Sequence, residues 1–171
     1  MVTREFQVMV RALEHGDLAA RREAVRELAA MGDAAVGTLV QVLKTSPSDD
    51  ARWYAAVALV KIGPQVIPVL LGEMKGTPDT GFRRYAAAAL GHLGEPAIRP
   101  LIQAFSGADP EMRGFLGEAL CRIGEKALPA LQELYNDADP VLRECAELTL
   151  WRMGEPGISA MVKSLEDEPG N

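Results

Sequence analysis

The sequence predicts an all-α fold in which a two-helix unit is copied five times after a single N-terminal capping helix. A glycine recurs at intervals of 30 or 31 residues, with a leucine four residues before it and an arginine eleven residues before it. A fixed period in this range is the signature of stacked helical repeats. The recurring residues are Gly32, Gly63, Gly94, Gly124 and Gly154; Leu28, Leu59, Leu90, Leu120 and Leu150; and Arg21, Arg52, Arg83, Arg113 and Arg143.

The unit around Gly94 shows why each copy is expected to be a pair of helices. Apolar residues precede and follow this glycine at the i, i+3, i+4 and i+7 spacing of an amphipathic helix. Gly94 has no Cβ and therefore tolerates the left-handed backbone that ends a helix. Pro96 follows at a position that suits the first turn of the next helix, where its missing N–H is no loss.

The copies follow one another without a break, so we predict a single domain over residues 1–171. Residues 1–15 match the second half of a unit, and their apolar residues predict a capping helix that covers the first core face. The acidic tail 166–171 contains Pro and Gly and is expected to fray. The repeats are expected at about 16–46, 47–77, 78–107, 108–137 and 138–168.

An aspartate stands four residues before the arginine in four of the five copies, and Ser48 takes its place in the second. These residues are good helix N-caps. The i, i+4 spacing also brings aspartate and arginine onto one side of a helix, and each arginine can reach the cap of the adjacent repeat. We therefore predict a structural ladder of arginine–carboxylate pairs that stacks the repeats. Its members are Asp17, Arg21, Arg52, Asp79, Arg83, Asp109, Arg113, Asp139 and Arg143.

Charge and composition argue against several functions. The net charge of −6 and the pI of about 5.0 disfavour a nucleic-acid groove, which needs a basic stripe. No apolar run approaches the ~18 residues of a membrane span, and the N-terminus lacks the apolar stretch of a signal peptide. Cys121 and Cys145 lack metal-ligand spacing and are interpreted as free thiols of a reducing compartment. We expect a cytoplasmic protein with no nucleic-acid or membrane partner.

The sequence contains no recognisable catalytic or metal-binding arrangement. His15 and His92 are isolated and cannot form a dinuclear metal site. There is no glycine-rich phosphate loop, and no Ser/His/Asp or Cys/His set has usable spacing. We therefore predict no catalytic residues, no metal and no cofactor, and we expect no catalysis by this chain alone.

The repeated unit resembles the HEAT-like repeat of the phycobilisome-lyase type. The likeness covers nearly the whole chain and is carried best by DPEMRGFLGEALCRIG (109–124) and DPVLRECAELTLWRMG (139–154). The resemblance implies a right-handed α-α superhelix, a HEAT-like solenoid, whose second helices line the concave side. This repeat occurs in proteins of very different activities, so the fold does not give the function.

Two of the first helices carry a tryptophan on the side opposite the core when they are drawn at ~100° per residue. Exposed apolar clusters usually mark an interface, and tryptophan is a frequent anchor there. Self-pairing of these patches would produce a homo-oligomer. The alternative is that the helices roll and the tryptophans pack into grooves between repeats. The candidate residues are Trp53, Val57 and Val60 in the second repeat and Leu148 and Trp151 in the fifth.

The second helices provide the other candidate surface, which is mildly apolar and locally basic. An acidic peptide or helix of a protein partner fits it, and an ordinary solvated face is the alternative. Its candidate partner-binding residues are Arg11, Gln41, Lys44, Lys75, Arg99 and Gln103.

These observations favour a non-catalytic scaffold or adaptor that binds a protein partner of unknown identity. The resemblance adds a second hypothesis, an accessory subunit of a bilin-chromophore lyase or similar modifying enzyme. A HEAT-like nucleic-acid repair protein is a remote third, against which the charge argues.

Overall fold

The computed structural model describes residues 4–166, and the regular structure in that range is entirely helical. The predicted all-α class is confirmed. Short 3-10 turns occur at Pro64–Val66 and Gly124–Ala127. The expected frayed tail lies outside the described residues apart from its first residue. The helices are α1 (Arg4–His15), α2 (Leu18–Ala30), α3 (Asp33–Thr45), α4 (Asp49–Ile62), α5 (Ile67–Gly76), α6 (Thr80–Leu93), α7 (Glu95–Ala104), α8 (Pro110–Ile123), α9 (Leu128–Tyr135), α10 (Pro140–Arg152) and α11 (Glu155–Glu166).

The chain divides into two compact units, Met1–Leu93 and Gly94–Asn171. The first unit contains α1 to α6 and the second contains α7 to α11. The single domain expected from the sequence stays a prediction. Among the described helices, none is long and apolar enough to cross a membrane alone; Asp49–Ile62 and Pro64–Gly76 meet that length and composition test only as a pair bent by 116°.

The turn glycines adopt the backbone predicted for them. All five have positive φ, from 56° at Gly32 to 115° at Gly63, and no other residue type in the described range does so. This region is strained for side chains with a Cβ, so glycine is the residue that lets one helix end and the next begin at an angle.

The predicted N-caps are also present. The side chains of Asp17, Ser48, Asp79, Asp109 and Asp139 each accept a hydrogen bond from a backbone N–H in the first turn of the following helix. The Asp17 and Asp109 bonds, for example, both measure 2.8 Å. Such caps satisfy donors that have no partner within the helix.

Arg21, Arg52, Arg83 and Arg143 each donate to a backbone carbonyl near the end of the helix before their own, or in the linker that follows it. Helix C-termini leave carbonyls without internal partners, and a guanidinium can satisfy them. The contacts are Arg21 Nη2 to Glu14 O (3.5 Å), Arg52 Nε to Ser46 O (2.7 Å), Arg83 Nε to Met74 O (3.1 Å), and Arg143 Nη1 to Asp137 O (2.9 Å) and Ala138 O (3.1 Å).

The ladder of arginine–carboxylate pairs between repeats stays a prediction, and one pair of this kind is present near the N-terminus. Arg21 pairs with Asp50 at 2.6 Å, on the next first helix and two residues after its cap, Ser48. The Nε of Arg113 is buried and has no hydrogen-bond acceptor among residues 4–166. The aspartates act as caps, and the backbone contacts of Arg21, Arg52, Arg83 and Arg143 tie their helices to the segment before them.

In the first unit, α2, α4 and α6 pack side by side, and α3 and α5 pack against them. The leucines four residues before the turn glycines are fully buried: Leu28, Leu59 and Leu90 each have 0% exposure. Helix α1 packs on α2 and buries Phe6, Met9 and Leu13, as expected of the predicted capping helix.

The second unit repeats this packing with α8 beside α10 and with α7, α9 and α11 against them. Leu120 and Leu150 are fully buried, as their repeat position predicts. Helices α10 and α11 approach closely at Gly157 in α11, where an added Cβ would clash with the carbonyl oxygen of Leu150 in α10. Only a residue without a side chain fits there.

We expect Leu90→Ala to lower the free energy of unfolding by roughly 2–5 kcal/mol because it leaves a cavity in a fully buried site. Val69→Ala is the control, since Val69 is 40% exposed and leaves no comparable cavity. Urea denaturation measures both variants. Equal midpoints for the two would contradict the assignment of Leu90 to the core.

Gly157→Ala is expected to destabilise the chain by about 1–3 kcal/mol, because its new Cβ forces α11 away from α10. Gly72→Ala in α5 is the matched control. Its Cβ meets nothing within 4 Å, and alanine favours the helix by up to about 1 kcal/mol. In thermal unfolding, the melting temperature should fall for Gly157→Ala and rise for Gly72→Ala. Shifts in the same direction would show that the close contact at Gly157 does not limit the stability of the protein.

Candidate protein-binding surfaces

Ion pairs link neighbouring second helices within each unit. Lys44 pairs with Glu73, and Arg99 makes two hydrogen bonds to Glu133, of 2.7 and 3.2 Å. The hydrogen bonds between them lower the pKa of Glu133 and raise that of Arg99. The charges of Lys44 and Arg99, which the sequence offered to an acidic partner, are therefore balanced by carboxylates already present.

The other candidates on the second helices are exposed: Arg11, Gln41, Lys75 and Gln103. Arg11 and Gln41 line a broad cleft of about 810 Å³ between α1 and α3, together with Glu14 and Thr38. The lining combines charges of both signs with apolar residues such as Phe6 and Val10. The structure thus brings Arg11 and Gln41 together, whereas Lys75 and Gln103 do not line that cleft.

Trp53 is 46% exposed on α4 and separates two clefts. The cleft between α2 and α4 has a volume of about 400 Å³, and the cleft between α4 and α6 has a volume of about 330 Å³. We call these two clefts and Trp53 the Trp53 surface. Val57 lines both clefts and Val60 lines the second, so the three candidates of this repeat are brought together.

The remaining lining of the Trp53 surface consists of small or apolar residues and cationic or basic side chains. Ala56, Ala88 and Ala89 line the cleft between α4 and α6. Leu18, Val25 and Tyr54 line the other cleft. Neither lining contains an aspartate or glutamate, and the basic side chains in the two linings are Arg22, Arg26, Lys61 and His92.

Trp151 is 56% exposed and lines a cleft of about 520 Å³ between α8 and α10, which we call the Trp151 groove. Leu148 lines the same groove and is 58% exposed. On the α8 side, a Cβ added at Gly114 would meet nothing within 4 Å, so α8 presents open backbone there. The titratable residues of the lining are Arg113, Glu144, Cys145 and Arg152.

Both tryptophans thus combine the two alternatives posed by the sequence: each is about half exposed, and each lines a groove between neighbouring first helices. The sequence did not reveal that Arg22, Arg26 and Lys61 border Trp53, because Arg22 and Arg26 lie about 30 residues earlier and look like an ordinary polar face. The alanine run at 86–89 in α6 is the signal that could have indicated a shallow floor beside Trp53.

The free cysteines are Cys121 and Cys145, and both are half-buried. Burial raises the pKa of each thiol and so disfavours the thiolate that nucleophilic chemistry or metal binding requires. No group of three His, Cys, Asp or Glu side chains within residues 4–166 could hold a metal ion.

Comparison of the sequence with known protein families identifies the repeat. The profile of HEAT repeats matches residues 36–105 and 98–171, and the profile of the PBS lyase HEAT-like repeat matches residues 20–45. A comparison with curated proteins gives no significant match.

Solved structures with a similar chain course include the complex of CpcE and CpcF of phycocyanin lyase from Nostoc sp. PCC7120. It is 19% identical, with a TM-score of 0.40, over 97% of this chain and 91% of that one. An engineered protein is 21% identical, with a TM-score of 0.38, over 96% of this chain and 86% of that one. The matches to the HEAT profile together span residues 36–171, and on that basis this chain belongs to the HEAT repeat family.

Proposed function

We propose that this protein is a binding scaffold that presents helical surfaces to a protein partner. The observation that carries the proposal is the pair of half-exposed tryptophans, each lining a groove between neighbouring first helices. Large aromatic side chains that border a groove are typical anchors of protein interfaces, since they bury much area on binding and lose little conformational freedom. A cytoplasmic location is part of this proposal.

The Trp151 groove supports the proposal through its shape and composition. Leu148 and Trp151 leave more than half of their surface in water, which disfavours them at a site that stays uncovered. The open backbone at Gly114 leaves room beside them for a partner's side chain. Arg113 and Glu144 supply charges of both signs in the same lining.

A second candidate is an accessory subunit of a bilin-chromophore lyase or a similar modifying enzyme. The match of residues 20–45 to the PBS lyase HEAT-like repeat favours it. The identity of the partner separates the two candidates. Recovery of a phycobiliprotein or of a lyase subunit would support the second, whereas an unrelated partner would support the general scaffold.

We expect Trp151→Ser to reduce recovery of the partner about tenfold or more, as truncation of an interface anchor does. Its denaturation midpoint should stay close to the native value because the side chain is half exposed. The measurement is affinity capture from lysate of the source organism with quantitative mass spectrometry, followed by titration of the purified partner.

Val162→Ser is the matched control, because it removes an apolar side chain that is 50% exposed and lies outside the Trp151 groove. Unchanged recovery with Trp151→Ser, or equal loss with Val162→Ser, would contradict the proposal for this groove. Unfolding of Trp151→Ser would show instead that Trp151 belongs to the core.

A further inference from the structure

We propose that the Trp53 surface binds an acidic amphipathic helix of the partner protein, with apolar side chains entering the clefts on both sides of Trp53. The inference rests on the proposed scaffold function and deepens it by specifying one surface and the chemistry of its ligand.

The spacing of the two clefts fits a helix that crosses α4. Neighbouring packed helices lie about 8–10 Å apart, so the clefts on either side of α4 are separated by a similar distance. Residues i and i+7 of an α-helix are about 10 Å apart along its axis and lie on the same face. A bound helix can therefore place one apolar anchor in each cleft and rest its intervening turn on Trp53.

The lining of the clefts suits apolar anchors. Between α4 and α6, the small side chains of Ala56, Ala88 and Ala89 leave a cleft of about 330 Å³ beside Trp53. Between α2 and α4, Leu18 and Val25 line a cleft of about 400 Å³. Helices that bind in grooves are recognised through apolar residues at this i, i+3, i+4, i+7 spacing.

The charge of the surface selects an acidic helix. Arg22, Arg26 and Lys61 line the clefts without any aspartate or glutamate, although the whole chain has a net charge of −6. Arg26 pairs with the exposed Glu23 beside it, which leaves Arg22 and Lys61 as the cations to meet a partner's carboxylates. Opposite charges on the two surfaces speed association and discriminate against basic partners.

A nucleic acid or an anionic membrane fits the surface less well. Phosphate backbones are bound by a continuous row of cations, whereas the middle of this surface is tryptophan, valine and alanine. A bilayer surface is flat over the width of these two clefts and cannot fill them, whereas the protruding apolar side chains of a helix can. Both classes enter the experiment as competing probes.

The experiment uses the full chain with Trp151→Phe, which leaves Trp53 as the single tryptophan reporter. The probe is a fluorescein-labelled synthetic helix of about 20 residues, long enough to be helical in water. It has leucines at the i, i+3, i+4, i+7 positions, glutamates flanking that stripe and alanines elsewhere, because closely spaced like charges destabilise a helix. A second peptide has lysines in place of the glutamates, and anisotropy and Trp53 emission report binding.

We expect the acidic peptide to bind saturably and to shift the Trp53 emission, and the basic peptide to bind at least about tenfold more weakly because of charge repulsion. Trp53→Ala and the double variant Arg22→Glu/Lys61→Glu should each weaken the acidic peptide about tenfold or more. The double variant should in turn bind the basic peptide. Arg4→Glu, at an exposed arginine of the same unit outside the clefts, is the control and should change neither affinity.

No binding of the acidic peptide, equal binding of the two peptides, or insensitivity to Trp53→Ala in a variant with native circular dichroism would overturn the inference. So would preferential binding of a duplex oligonucleotide or of phosphatidylserine vesicles through Arg22 and Lys61. A mass by light scattering that rises above 18.4 kDa with concentration, and is restored by Trp53→Ala, would identify a second copy as the occupant instead.

The two proposals fail separately. If partner capture depends on Trp151 while the peptide ignores Trp53, the scaffold function stands and only the acidic-helix inference falls. If Trp151→Ser and Trp53→Ala both still capture the partner, the scaffold function fails at these surfaces. That conclusion does not depend on the result of the peptide titration.

Discussion

A pair of short helices with an apolar stripe cannot bury that stripe alone, and this constraint governs the structure of each unit. The leucine four residues before each turn glycine lies where one helix meets its neighbours, and it is fully buried in every copy. The glycine fixes the angle between the helices because it adopts a positive φ. Within each unit, the helices therefore depend on packing against their neighbours, as expected of repeat proteins.

Because this frame is the same in every copy, the outward positions of the first helices are free to differ. Ten residues before the turn glycine, the copies carry Arg22, Trp53, Arg84, Gly114 and Glu144. The same backbone therefore presents a cation, an aromatic ring, an open backbone or a carboxylate, depending on the copy. Variation of side chains on a constant frame is how a repeat fold acquires a specific surface.

Charge is distributed unevenly over the surface, and the net charge of the whole chain does not show this. The chain is acidic, and several of its carboxylates serve as helix caps or pair with cations of neighbouring helices, as Asp109 and Glu133 show. The Trp53 surface is different, since its lining keeps cations without carboxylates among them. The net charge of −6 is therefore compatible with an acidic ligand at one surface.

The periodic pattern was sufficient to predict the all-α class, the glycine turns, the capping aspartates and the leucine core. These features depend on backbone conformation and on contacts three or four residues apart, which one repeat of sequence contains. Packing between helices was needed to decide that the arginines bond to carbonyls, that Lys44 and Arg99 meet Glu73 and Glu133, and that Arg22 borders Trp53. The carbonyl acceptors lie 5–9 residues before their arginines, across the turn between two helices, and the other partners lie about 30 residues apart. Both kinds of contact depend on helix rotation, rotamer and spacing, which no local pattern specifies.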